Sequence, residues 1–455
     1  MPQIIKIFQH SIASLRQANS EGISFTWNHF DLGDLLLAEW IAEQVKPSSQ
    51  KHLQGVTLIK HQLHAWRQRK KYASKAPSNQ FDVLVFFNSQ NQWSNLQPVV
   101  QELSQQGIRV LVVSTKPNLM VPLLSNQVPT VLLMGLKKTT WALNKSHEIA
   151  PIIQYHLPKL NYLYHAIQPF LNSTQLNYVL IGNDNTSEGR MVARMALQKN
   201  IPTGCIQHGS MNRINPLHGR SVVDQFFVYG EKPKQELVFL GKSATQILVK
   251  GWPLQTGFHQ YQASTWKGFD HPTVVVTFSG PGHGTSEDHH IKCIELVAAI
   301  QRELQCHLCI KLHPKDNVKY YSALDKDKTL LWTNTDLQQL GIRFHDVVQQ
   351  AQLVITGASN SALDALLMQT EVVTLDLMQA YRDVDFVQDG LVHYCEDYDA
   401  LLQVTRRVLL QHKSGLNELQ KEKLETYYYR FFDTNYEPSR SIAQHIQSTI
   451  NFTTQ

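Results

Sequence analysis

The chain is poor in cysteine and has no long apolar run. Its five cysteines (Cys205, Cys293, Cys306, Cys309 and Cys395) are an odd count, and most fall within apolar strand or helix patterns. Cys306 and Cys309 have the spacing of a metal or redox pair. They alternate through an apparent strand, however, and no second pair completes a zinc site, so all five read as reduced core residues. No stretch approaches the roughly 20 apolar residues of a membrane-spanning helix. The N-terminal MPQIIKIFQHSIASLRQ lacks the sustained apolar core of a signal peptide. A cytoplasmic location is therefore expected, with the inner face of the cytoplasmic membrane as an alternative position. Charge is also modest: a net +5 suits anionic substrates or an anionic surface and falls short of a nucleic-acid signature, so no nucleic-acid partner is expected. There is no short-period repeat and no low-complexity tract. The dinucleotide fingerprint G-x-G-x-x-G is missing, which argues against NAD, and no G-x-S-x-G elbow marks a hydrolase. Asp383 and Asp385 in RDVD, on an apparent loop, come nearest to a metal pair. No metal and no cofactor are expected.

What the chain does have is length and a repeated β-α pattern. Its 455 residues suffice for two or three domains. Residues 1–78 read as a helical N-terminal extension, with an amphipathic stretch at Asp31 to Ala42. Lys60 to Lys75 is basic, and reads as a solvated helix or as a surface for an anionic membrane or acceptor. From Phe81 onward, strands such as DVLVFF, IRVLVVST and NYVLIG alternate with helices through residue 255. Residues 255 to 271 are polar and strand-poor, the mark of a linker. A second β-α series covers 272–430, and 431–455 forms a C-terminal helix that could cross back to the first series. Strands alternating with helices predict doubly wound, mostly parallel sheets, and two such halves predict a cleft between them.

The most informative stretch is Ala351 to Leu377, AQLVITGASNSALDALLMQTEVVTLDL. It predicts a strand over Leu353 to Thr356, a polar turn, a helix over Ala362 to Met368 and a strand over Val372 to Asp376. A strand that turns through small hydroxylated residues into a helix start leaves free N–H groups and the positive end of the dipole facing an anion. Ser359, Asn360 and Ser361 are thus a candidate phosphate cradle; the ordinary alternative is a capped turn. Upstream, CHLCIKLHPKD is a strand ending in Lys311, His313 and Lys315, where Pro314 stops the strand and holds His313 extended. Open α/β sheets bind ligands at that edge. The turn SGPGHG offers Gly280, Gly282 and Gly284 as further backbone donors. In the first half, Asp184 follows VLIG and His208-Gly209 follows GCI, each at a strand end. His208 and then Asp184 are candidates for a catalytic base, with Glu287 third. The ordinary reading of Asp184 is an Asx-turn or helix cap, and that of His289 and His290 is a solvated helix start.

Two Rossmann-like halves, with QHG ending a strand in the first and KLHP plus a Ser-rich turn in the second, resemble GT-B glycosyltransferases of bacterial surface-polysaccharide synthesis. The similarity lies toward the CMP-Kdo and CMP-sialic acid transferases of capsule assembly and the CDP-glycerol glycerophosphotransferases of teichoic acid synthesis. It covers roughly residues 80 to 445 as architecture, and its specific motifs are short. It implies α/β GT-B domains facing each other across a cleft, an acceptor domain first and a nucleotide-donor domain second. It also implies that His313-Pro314 and Ser359 with Ser361 contact the nucleotide phosphate, and that His208-Gly209 acts in catalysis. This chain has Ser-Asn-Ser where the sialyltransferases have adjacent hydroxylated residues. The clustered acidic and histidine signature of UDP-N-acetylglucosamine epimerases is not visible. The implied partners are a nucleotide-sugar donor (CMP-, UDP- or GDP-linked) and a glycan or lipid-linked acceptor. A CDP-polyol phosphotransferase and a non-catalytic GT-B scaffold stay open as alternatives.

Overall fold

Short, β-branched runs bounded by turn residues become strands throughout the chain. In the computed structural model of the protein, the residues described are 3–20, 26–28, 30–45, 81–116, 129–133, 149–208, 216–253, 266–281, 286–313, 316–357, 359–379, 381–382, 384–410, 415–431 and 437–453. The basic stretch Lys60 to Lys75, the boundary near residue 78, and Gly209, Gly282, Gly284, Pro314, Lys315 and Asp383 lie outside them. The chain divides into two compact units. One holds Ile5–Gln255 with Phe431–Gln455, and the other holds Thr256–Arg430 with Met1–Ile4.

A two-residue hairpin, β1 (Thr26–Trp27) and β2 (Phe30–Asp31), precedes the main sheet of the N-terminal unit. That sheet contains β3 (Val83–Phe87), β4 (Val110–Ser114), β5 (Thr130–Leu132), β6 (Tyr178–Ile181), β7 (Thr203–Ile206), β8 (Gln225–Val228) and β9 (Ile247–Val249). All are parallel, in the order β5-β4-β3-β6-β7-β8-β9. Strands buried on both faces need continuous apolar runs, and VLVFF and YVLI are buried at every position. The helix Gln90–Gln105 covers one face through Trp93, Leu96 and Val100. The final helix, Pro438–Thr453, adds Ile442, Ala443 and Ile446 to that same core, so the end of the chain completes the unit formed by its first half. The amphipathic stretch at Asp31 splits into Leu32–Leu35, capped by the Asp31 carboxylate, and Leu37–Val45. It is pinned to the sheet domain by Asp34, which accepts from Arg190, Arg194 and Arg220.

The C-terminal unit repeats the theme with β10 (Thr273–Thr277), β11 (His307–Lys311), β12 (Thr329–Trp332), β13 (Leu353–Thr356), β14 (Glu371–Leu375) and β15 (His393–Cys395). The order β12-β11-β10-β13-β14-β15 is again all parallel. Strand order in each sheet reverses beside its first strand, between β3 and β6 and between β10 and β13. Ligands bind at such switch points, beyond the carboxyl ends of the strands. Among the described residues no helix is long and apolar enough to cross a membrane. All five cysteines are buried free thiols.

Candidate functional site

In the C-terminal unit, alternation along the strands sorts the side chains. Leu308, Ile310 and Leu312 join one core with Val274, Val276 and Ile355. Lys311, Thr277 and Thr356 therefore point to the opposite face. Thr277 pairs with Thr356 at the carboxyl edge, and continuing the β10–β11 register sets Lys311 beside Thr277. The helix Asn360–Leu367 starts there, two residues earlier than its sequence pattern predicts, with Ser359 in the extended cap position. The Ser359 hydroxyl makes no cap bond of its own. It lies 3.0 Å from Thr356 Oγ1, which donates to the Thr277 carbonyl at 2.7 Å, while Ser361 Oγ sits 3.4 Å from Thr277 Oγ1. Four hydroxyls thus gather at the switch point in front of a helix N-terminus. Two of them, Thr277 and Thr356, could not be picked out without knowing which strands pair.

The neighbouring elements frame this cluster. Burial lowers the Lys311 ammonium below its ordinary range, and its nitrogen lies 5.9 Å from the centroid of Phe344. His313 follows β11 by two residues at the same edge, and its carbonyl accepts from Asp316 N at 2.8 Å. Gly280, at φ +70°, turns the chain after β10; a Cβ there would sit 3.4 Å from Asp316. His289 and His290 correct the expectation of a solvated helix start, because both are buried. His290 Nε2 lies 3.1 Å from Asp316 Oδ1, whose other oxygen accepts from Tyr321 OH at 2.5 Å. Burial pushes Asp316 up, yet the bonds from His290, Tyr321 and Asn317 N together hold it below the usual carboxylate range. This ties the glycine turn to the loop after β11. Glu287, in the first turn of Glu287–Leu304, accepts from Tyr320 OH. It belongs to this unit, apart from the other two base candidates. Asp385, read as loop, opens the short helix Asp385–Gln388.

The N-terminal unit gathers different chemistry at its carboxyl edge. Ile181 pairs with Cys205, and that register continued beyond the strands brings Asp184 opposite His208. Asp184 is not the Asx-turn or cap residue. Asn183 makes the Asx contact, accepting Asn185 N at 2.8 Å, and Thr186 caps the helix Ser187–Leu197. The Asn183 carbonyl lies so close to that helix that a Cβ at Gly189 would meet it at 2.0 Å, so only glycine fits. Asp184, 1% exposed, accepts from Ser221 Oγ at 2.6 Å and Val222 N at 2.7 Å, both on Oδ2. Its Oδ1 is buried without a hydrogen-bond partner, as is Nδ1 of His208. His208 Nε2 lies 3.0 Å from Asn183 Nδ2. Burial lowers the His208 pKa, and the charge of Asp184 only partly offsets this, so the imidazole is neutral at neutral pH.

Asn88, after β3, reaches Glu188 at 2.7 Å, and a buried network of Asn95, Tyr229 and Trp252 holds the Gln207 backbone. Glu39 enters from the N-terminal region, where its Oε1 accepts Ser187 N at 2.9 Å. Burial raises its carboxyl to about 7 against the pull of Ser187. No pattern in the sequence marked Glu39 or Asn183, whose significance depends on contacts 148 and 25 residues away.

No family model matches the sequence, and no curated protein does. Solved structures do match. The Staphylococcus aureus MnaA–UDP structure is 15% identical at a TM-score of 0.57, over 82% of this chain and 98% of that one. The UDP-GlcNAc 2-epimerase of Neisseria meningitidis bound to UDP-GlcNAc is 14% identical at 0.56, over 81% and 100%. The glycotransferase of kitacinnamycin is 13% identical at 0.54, over 82% and 100%. The fold is of the GT-B type. At these identities the likeness is one of fold.

Proposed function

We propose that the protein is a nucleotide-sugar-dependent glycosyltransferase, working in surface-glycan synthesis as its sequence resemblance indicates. The observation that carries this is the group of hydroxyls of Thr277, Thr356, Ser359 and Ser361 before a helix N-terminus at the switch point of the C-terminal sheet. Such a group suits the phosphoryl oxygens of a nucleotide, and the dipole with Lys311 and His313 at the same edge suits the charge that grows on the leaving phosphate. The N-terminal unit would hold the acceptor hydroxyl and take its proton. UDP and UDP-GlcNAc, which occupy two of the structural neighbours, head the donor panel.

The test is a melting-shift screen with UDP, CMP, CDP and GDP at millimolar concentration, followed by transfer assays with the corresponding sugars. A ligand that prefers the folded state raises the midpoint, so a shift with one of the four is expected and the absence of any shift contradicts the donor site. His313→Ala should abolish transfer with the midpoint nearly unchanged; retained activity removes His313 from the site. A second reading, isomerisation of the nucleotide-linked sugar itself, is favoured by the epimerases among the structural neighbours. It needs no acceptor, so conversion of UDP-GlcNAc with no acceptor present would select it.

A further inference from the structure

The orientation of one amide decides what His208 can do. Asn183 Oδ1 accepts the backbone N–H of Asn185 at 2.8 Å, so its Nδ2 must face His208 Nε2, 3.0 Å away. An amide nitrogen is only a donor, and Nε2 must therefore accept. In a neutral imidazole the single proton then lies on Nδ1. That Nδ1–H is buried with no acceptor, and opposite it, one register step across β6 and β7, Asp184 Oδ1 is buried with no donor. Buried polar atoms of a folded protein are almost always paired, and each exception calls for an explanation. Here a donor and an acceptor are left open at the carboxyl ends of two adjacent strands, and Asn185 Oδ1 is a third open acceptor in the same loop. The group that satisfies one donor and one acceptor together is a hydroxyl.

We infer that His208 and Asp184 form the binding site for the acceptor's alcohol, with His208 as the hydrogen-bond donor that holds its oxygen and Asp184 as the base. This reverses the roles expected from the sequence, where His208 stood first as base. The reaction it serves rests on the transferase reading; the hydroxyl site itself does not. In the step, the acceptor O–H bond breaks and its proton passes to Asp184 Oδ1. The freed oxygen pair forms the new bond to the anomeric carbon of a nucleotide-activated sugar. The carbon–oxygen bond to the nucleotide phosphate breaks, and its electrons stay on the phosphate. Asp184 is built for this: Ser221 Oγ and Val222 N fix Oδ2 and aim the other oxygen.

Three measurements on the full chain test it. Histidine nitrogen NMR, with His208 assigned by its loss in His208→Gln, should show a neutral ring protonated on Nδ1 at neutral pH; a proton on Nε2 overturns the site. Glycerol, as a simple alcohol probe, should move the Nδ1 signal in the wild type and not in Asp184→Asn. No movement in the wild type also overturns it. Asp184→Asn can keep both bonds to Ser221 and Val222 through its amide oxygen, so its melting midpoint and UDP shift should match wild type while kcat falls about 100-fold. His208→Gln retains a donor and should keep far more activity than His208→Ala. Wild-type kcat in Asp184→Asn, or His208→Gln as inactive as His208→Ala, refutes the role assignment. Failure of the transferase reading is distinct: it shows as no transfer by the wild type from any donor, with the NMR results standing.

Discussion

The two sheets share one winding order and differ at their carboxyl edges. In the C-terminal unit the edge residues at the switch point are neutral hydroxyls that already bond to one another, Thr356 to Thr277 and Ser359 to Thr356. In the N-terminal unit they are an imidazole, a carboxylate and amides, with open positions on His208 and Asp184. The first edge suits an anion, because hydroxyls and a helix start offer donors without losing charge when the anion arrives. The second suits proton transfer, which needs groups whose protonation can change. One fold used twice therefore supplies two kinds of chemistry, and the difference lies in the three or four residues that follow each strand.

The largest effect is expected where the second edge can be converted. Asn183→Asp replaces the donating amide beside His208 with an acceptor, which draws the ring proton to Nε2 and leaves Nδ1 as a bare lone pair facing Asp184. Transfer should fall about a thousandfold in kcat/KM, at the upper part of the range for general acid–base groups, with the UDP melting shift kept. Activity within a few-fold of wild type would remove the tautomer from the account. The next effect concerns stability. Folding raises Glu39 from 4.5 to about 7, so the folded chain holds a proton that the unfolded chain releases between those values. Stability from this group is present below pH 4.5 and lost as pH rises toward 7, on the order of 3 kcal/mol at 1.36 kcal/mol per pKa unit. Denaturant titrations at pH 5 and pH 8 should show that drop in the wild type and a much smaller one in Glu39→Gln; equal pH dependence would place the raised carboxyl elsewhere.

Much of the fold was legible in the sequence because parallel strands buried on both faces must be apolar throughout. DVLVFF, TVVVT and QLVIT announce themselves, and the turn after Thr356 showed its hydroxyls openly. The short edge strand His393–Cys395 was not visible, since three residues with mixed burial carry little pattern. The burial of His289 and His290 was missed for a related reason. Their polarity suggested solvent, whereas Asp316, Phe278 and Tyr321 enclose His290 from loops that no local pattern assigns to it. Asp184 and His208 could be picked as strand-end residues, but their roles could not. Those depend on Asn183, whose amide is oriented by a backbone N–H two residues on and whose partner lies on the next strand.

The division of labour between the two edges is tested most directly by calorimetric titration of UDP into wild type, Ser361→Ala and Asp184→Asn. A hydroxyl bonded to a charged phosphate contributes enough that its removal should weaken UDP binding about tenfold, while Asp184→Asn should bind UDP as wild type does. Unchanged affinity in Ser361→Ala together with weakened affinity in Asp184→Asn would place the nucleotide on the wrong unit and contradict the account.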